Sequence, residues 1–181
     1  MIDKEKVDVA AEIVNRVATS ALVTLDLEEY YTPGERVLFD IKPWLYQELI
    51  LKEKDFRDHI KSHNWAQYKG KFVAIICSAD AIVPTWAYML VTIAMQPYAK
   101  FVCFGSIAEL ETQLYSHALG EINWQQFNNA KVVIKGCSKV EVPMATYVEA
   151  TNYLRPIAAS IMFGEPCSTV PLFKKKIIQQ A

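Results

Sequence analysis

One stretch of this chain is written twice, and that repetition constrains the architecture before any single residue is interpreted. Residues 64–105 and 123–164 each open Asn-Trp-x-Gln-aromatic, as Asn64, Trp65, Gln67, Tyr68 and Asn123, Trp124, Gln126, Phe127. A lysine and a β-rich run follow, and then Cys77-Ser78 or Cys137-Ser138. From the next proline the copies align without a gap, through Pro84/Pro143, Tyr88/Tyr147, Thr92/Thr151, Pro97/Pro156, Phe104/Phe163 and Gly105/Gly164. So many matches in fixed order indicate a tandem duplication.

Each copy predicts strand, loop, helix, strand. The first gives a strand over 71–76, a helix over 84–96 and a strand over 100–104. The second gives a strand over 131–135, a helix over 143–155 and a matching strand over 159–163, although residues 154–163 also read as helix continuing past Pro156. Between the copies, residues 107–119 form a helix opened by Ser106 with Glu109 three residues on, a capping-box pattern. Ahead of them, Val7, Ala10, Ile13, Val14 and Val17 recur at helical spacing over residues 5–18. Residues 21–27 and 36–41 read as two strands joined as an antiparallel hairpin, with Thr32-Pro33-Gly34-Glu35 as a type II turn. Pro43 opens a helix to Ile50, and residues 53–63 form another. Alternating strands and helices predict an α/β fold: a mainly parallel sheet built from the duplicated strand–helix–strand unit, preceded by an N-terminal helix and β-hairpin. The 181 residues, with no low-complexity linker, read as a single domain over 1–181.

Net charge is −1, and lysines and arginines are scattered apart from Lys174-Lys175-Lys176. A nucleic-acid binder concentrates basic residues on one face, so no nucleic-acid partner is expected. The most apolar stretch, Ala81 to Met95, is 15 residues long, short of the roughly 20 needed to cross a bilayer. The charged start of the chain lacks the apolar core of a signal peptide. Four well-separated cysteines without an export signal point to thiols or ligands in a reducing cytoplasm.

The chemistry rests on those cysteines. Binding sites of open α/β sheets lie beyond the carboxyl ends of the strands, and Cys77 and Cys137 each end a strand before a helix. Cys167-Ser168-Thr169-Val170-Pro171 repeats the same Cys-Ser then Val-Pro grammar. Cys103 falls inside a strand where the second copy has Met162, which marks buried packing. Three readings stay open. Cys77, Cys137 and Cys167 could hold zinc or an iron–sulfur cluster, with Asp80 or Glu165 as a further ligand. One of them could carry out thiol redox or persulfide chemistry. Or the cysteines only pack, and the protein is a non-catalytic scaffold or adaptor. His59 and His63 share one face of a strongly charged helix and read as solvated. The matched aromatics Trp65, Tyr68, Trp124 and Phe127 read as packing staples before each strand. No Gly-rich phosphate loop is present, so a nucleotide cofactor is not expected.

The run from Glu12 to Ala18, the run from Cys77 to Tyr88, Val133-Ile-Lys-Gly-Cys-Ser138 and Gly164-Glu-Pro-Cys-Ser-Thr-Val-Pro-Leu172 together resemble the bacterial family known as domain of unknown function 2480. The resemblance covers the chain from about Glu12 to Lys175. It implies iron–sulfur assembly as a setting, by association with genes for that process, and gives no residue a role. The favoured expectation is therefore a metal or cluster site of Cys77, Cys137 and Cys167 in a cytoplasmic protein, with an assembly protein or a second copy as partner.

Overall fold

A computed structural model describes residues 22–136, 139–165 and 167–175. The predicted N-terminal helix over 5–18 lies outside the described residues. Among the described residues, seven strands form two sheets rather than one. In the first, β2 (Arg36–Asp40), β3 (Phe72–Ile76) and β4 (Phe101–Phe104) run parallel with β3 central. In the second, β1 (Leu22–Asp26), β5 (Lys131–Lys135) and β6 (Ser160–Glu165) run parallel with β5 between the other two, and β7 (Ser168–Lys174) adds antiparallel to β6.

The N-terminal hairpin is therefore corrected. β1 and β2 do not pair; each joins a different central strand, Leu25 beside Ile134 and Phe39 beside Ile75. Both end in an aspartate between two apolar residues, and Leu25, Leu27, Phe39 and Ile41 are all buried. Sinking those residues into two separate cores stabilises the split arrangement, each side chain contributing about 1.5–3 kcal/mol. Gly34 is not the apex of a tight hairpin. A side chain there would meet the Phe72 ring at 2.4 Å, so glycine lets the connector lie against β3.

Among the described residues, four α-helices surround the sheets. α1 (Glu53–Ser62) and α2 (Thr85–Met95) cover one face of the first sheet, where Phe56, Ala87, Val91 and Met95 close over Phe39, Val73 and Ile75. α3 (Ile107–Gly120) covers its other face with Leu110 and Leu114 over Phe72, Ala74 and Cys103. The same helix turns Tyr115 and Leu119 into the core of the second sheet, beside Ala150 and Leu154 of α4 (Met144–Leu154). The capping box of α3 is formed: Glu109 N–H donates to Ser106 Oγ at 3.3 Å, and Ser106 N–H to Glu109 Oε2 at 2.6 Å.

Two further expectations change. Pro43 opens only a 3-10 turn, Lys42–Trp44, because Gln47 and Glu48 adopt left-handed φ of 51° and 57° and Trp44 turns into an aromatic cluster with Phe39 and Phe56. The reading of residues 154–163 as helix continuing past Pro156 falls, because the segment is strand β6, as the second copy predicts, and β7 follows it. Pro171 is accommodated because β7 is an edge strand with a register shift opposite Ile161 and Met162.

Arg36 joins the connector, β2 and α3. Its guanidinium forms a fork to Glu111 (Nε to Oε1 2.5 Å, Nη2 to Oε2 3.1 Å) and donates to the carbonyls of Thr32 and Gly34. Tyr31 and Phe72 lie against its flat face at 4.7 and 5.1 Å.

Candidate functional site

The carboxyl edge of the first sheet is built from the ends of β2 and β3. Asp40 accepts from Ser78 N–H (3.0 Å), Ser78 Oγ–H (2.5 Å) and Lys42 N–H (2.9 Å). Burial pushes this carboxyl up, but the bonds from the Ser78 hydroxyl and the two backbone amides outweigh it and hold the carboxyl below its ordinary value. Its lone pairs are spent on fixing the loop after β3, which suits a structural anchor better than a general base. Cys77 is half-buried, its thiol 3.9 Å from the Ala79 carbonyl. Tyr88 stands over this edge with its ring 5.1 Å from Phe104. Burial, then the charges of Cys77 and Asp40, raise its hydroxyl pKa.

The second sheet has a comparable edge. Asp26 accepts from Glu28 N–H at 3.1 Å and pairs with Lys135 at 2.9 Å. Tyr147 donates to the Gly136 carbonyl, and its ring lies 5.8 Å from Phe163. Asp26 and Asp40 are site-edge residues that the sequence reading missed. The available signal was the shared apolar–Asp–apolar ending, Leu25-Asp26-Leu27 and Phe39-Asp40-Ile41.

The metal expectation is corrected here. Among the described residues, no group of three or more His, Cys, Asp or Glu could hold a metal ion. Cys77 follows β3 of the first sheet, whereas Cys167 is exposed in the turn between β6 and β7 of the second. Cys137 lies outside the described residues. The strand ladders also undo the Cys-Ser match that suggested the set. Asp40 pairs with Ile76, and Asp26 with Lys135. The residue after Ile76 is Cys77, but the residue after Lys135 is Gly136, so Cys137 comes at the step of Ser78. The Val-Pro of the third motif belongs to strand β7 and not to a helix start. Neither zinc nor an iron–sulfur cluster is supported at Cys77, Cys137 and Cys167. Cys103 is buried in β4 beside Leu110 and Leu114, and burial followed by the charge of Glu109 raises its thiol pKa.

The histidine expectation holds for one residue and fails for the other. His59 is exposed and stacks on Trp44 at 5.3 Å. His63 is drawn inward, 3.0 Å from both the Tyr68 hydroxyl and the Gln67 amide and packed on Trp65 at 4.6 Å. Burial, then the neighbouring His59, lowers its pKa. The aromatic staples work through hydrogen bonds as well as packing. Trp65 Nε1–H donates to the Ile60 carbonyl at 2.8 Å, and Trp124 Nε1–H to the Leu119 carbonyl at 3.0 Å. Each donates to a carbonyl in the last turn of the preceding helix, where intrahelical donors run out; the Leu119 carbonyl also accepts Ile122 N–H at 3.2 Å.

Two open hollows lie elsewhere. One, of about 470 Å³, runs between α3 and the loop before α4, lined by Tyr31, Ile107, Glu111, Val140, Glu141 and Pro143. The other, of about 550 Å³, is lined by Tyr30, Tyr31, Pro33, His117, Glu121 and Gln126. Neither contains a cysteine, and Glu111 in the first is engaged by Arg36.

The outer side of α2 is the most distinctive exposed surface. This helix, Thr-Trp-Ala-Tyr-Met-Leu-Val-Thr-Ile-Ala-Met, contains no charged residue. Ala87, Val91 and Met95 are fully buried on its inner side, while Met89 and Ile93, one turn apart on the outer side, are 59% and 67% exposed. Among the described residues no helix is long and apolar enough to cross a membrane. No curated protein and no solved structure matches the chain. Residues 11–175 match the model of the family described as protein of unknown function (DUF2480), and the chain belongs to that family.

Proposed function

We propose that this protein is a non-catalytic scaffold that acts as a homodimer, with the outer face of α2 as its docking surface. The observation that carries this reading is a charge-free helix whose Met89 and Ile93 face outward. A helix apolar on all sides is expected to be covered on all sides, and an apolar patch rimmed by charge is the usual form of a protein contact. The rim favours a second copy. α1 packs beside α2 through Phe56 and Arg57 against Trp86. It carries both signs within one turn, pairing Glu53 with Arg57 and Asp58 with Lys61. Such a rim complements itself across a two-fold axis. The free thiols of Cys77, Cys103 and Cys167 fit the cytoplasm as the compartment. In this reading Cys77 and Cys103 pack, and Cys167 has no part in the contact.

The same proposal treats residues 64–105 and 123–164 as tandem copies within one domain over 1–181. A constant step of 59 residues supports it, relating Trp65 to Trp124, Thr85 to Met144 and Phe101 to Ser160 at the starts of their elements. Ile60 and Leu119, the acceptors of the two tryptophan bonds, keep the same step.

Sedimentation equilibrium tests the docking surface. Wild type is expected to sediment as a dimer and Ile93→Glu as a monomer with unchanged circular dichroism, while Val148→Glu, on α4 at the position that matches Met89, stays dimeric. A wild type that is monomeric at its highest soluble concentration, or an Ile93→Glu variant that remains dimeric, rejects the proposal.

A further inference from the structure

The second sheet has a strand that the first lacks. At the 59-residue step β4 corresponds to β6. β7 pairs antiparallel along the outer edge of β6, whereas among the described residues β4 pairs only with β3. The side chains register the difference. Ile161 lies opposite Phe173 of β7, which packs against its core, and is 0% exposed; its match Val102 is only half-buried. Phe163 lies opposite Val170 and is 38% exposed; its match Phe104 is 64% exposed. Ala158, just before β6, is buried, whereas Ala99 is half-buried. The sheet edges among the described residues also differ in what they carry. β1 ends in Asp26, β2 carries Arg36 and Asp40, and β7 carries Pro171 and Lys174. Charge and proline on an edge discourage a further strand from pairing there. β4, Phe-Val-Cys-Phe, has neither.

We infer that the open edge of β4 is a docking site for an extended segment of a partner protein. The segment adds antiparallel, as β7 adds to β6, with a large apolar side chain opposite Val102 and an aliphatic one opposite Phe104. In such strand addition the backbone hydrogen bonds supply affinity and the alternate side chains supply selectivity. The chemistry of the occupant follows from β7, where Phe173 and Val170 hold the corresponding positions. The site is held in shape from within the chain: β3 pairs with β4 over Phe101–Phe104, and the Tyr88 ring of α2 stands 5.1 Å from Phe104. A second copy of β4 fits less well. That strand spans four residues and leads into α3 at Ile107, so two copies would form a shorter ladder than the one β6 makes with the seven-residue β7. The edge uses neither Met89 nor Ile93, so the inference does not depend on dimerisation through α2.

The probe is a synthetic peptide with the sequence of β7, Ser168–Lys174, titrated onto the full-length chain, wild type and Ile93→Glu alike. Amide hydrogen exchange and amide NMR are the readouts. At saturation the amides of Phe101–Phe104 are expected to exchange about 10-fold more slowly, with those of β2, the opposite edge, unchanged. A nitroxide on the amino end of the peptide is expected to broaden Gly105 more than Lys100, the sign of antiparallel addition. Phe104→Lys, at an exposed position, is expected to weaken binding about 5-fold, the worth of one aromatic cross-strand pair, with unchanged circular dichroism. No slowing at β4, stronger broadening at Lys100, or equal binding by Phe104→Lys overturns the inference. Amides of β4 that are already protected in the free, dilute chain would show the edge filled from within it. Protection that grows with protein concentration would assign the edge to a second copy. Either result also overturns the inference. Because Ile93→Glu is titrated beside wild type, the peptide result stands whether or not α2 joins two copies.

Discussion

Replacing Arg36 by alanine tests how the connector between β1 and β2 is held. The side chain of Arg36 is 11% exposed and that of Glu111 25% exposed, so the pair sits closer to the buried limit than to the surface one. Breaking a buried pair costs about 3–5 kcal/mol because the remaining charge is stranded, whereas an exposed pair is worth about 0–1 kcal/mol. Partial access of water to Glu111 places the expected loss near 3 kcal/mol. The bonds to the carbonyls of Thr32 and Gly34 add about 0.5 kcal/mol, since water replaces part of what they supply. At about 2–4 °C per kcal/mol for a chain of this size, Tm falls by about 7–14 °C. Urea denaturation at constant m measures the loss, and a cycle with Glu111→Gln isolates the pair, with an expected coupling of about 2 kcal/mol. Moderate salt should change it little, because the pair is shielded from the ion atmosphere. A loss under about 1 kcal/mol, or a coupling under about 0.5 kcal/mol, would show that the fork is a surface contact and that packing alone holds the connector.

His63 has its pKa lowered in the folded protein, by burial first and by His59 second. The unfolded chain therefore binds a proton at a higher pH than the folded one, and stability falls as pH drops through the unfolded value of about 6.5. The loss is complete once pH lies below the folded value. Chemical denaturation between pH 7.5 and 5 should show this slope in wild type and a flatter profile in His63→Gln; equal slopes would mean that His63 is not the titrating group. Trp65→Phe and Trp124→Phe keep most of the packing but leave the Ile60 and Leu119 carbonyls without their indole donors. Each should cost about 1–2 kcal/mol, read from thermal melts, and additive losses are expected because the two staples serve different cores.

The elements legible in the sequence were those fixed by local signals. α2 and α4 begin after Pro84 and Pro143, the Ser106–Glu109 box opens α3, β3 is a continuous apolar run, and β5 sets Val132-Val133-Ile134 between two lysines. Strand partners were not legible, because β1 and β2 present the same apolar pattern to any neighbour and the connector resembles a turn. What separates them is non-local: Asp40 is satisfied by Ser78, 38 residues away, and Arg36 by Glu111, 75 residues away. The cysteine set failed for a related reason. Cys77 and Cys137 match as letters at a step of 60, whereas the strand ladders keep a step of 59, and hydrogen-bond register rather than residue identity decides which positions coincide. The proposed docking face of α2 shows in the sequence only as a stretch without charge. Only the packing revealed which residues the sheet leaves uncovered.

If the outer face of α2 joins two copies, methionine-methyl NMR over a concentration series will register the contact. The chain has five methionines. Three of them give the comparison: Met89 on the outer face of α2, Met95 buried on its inner face, and Met144 exposed on α4. The Met89 methyl is expected to shift and broaden as concentration rises through the dimerisation range, while Met95 and Met144 hold their positions. A Met89 signal that stays sharp and unmoved, with Met144 shifting in its place, would contradict it.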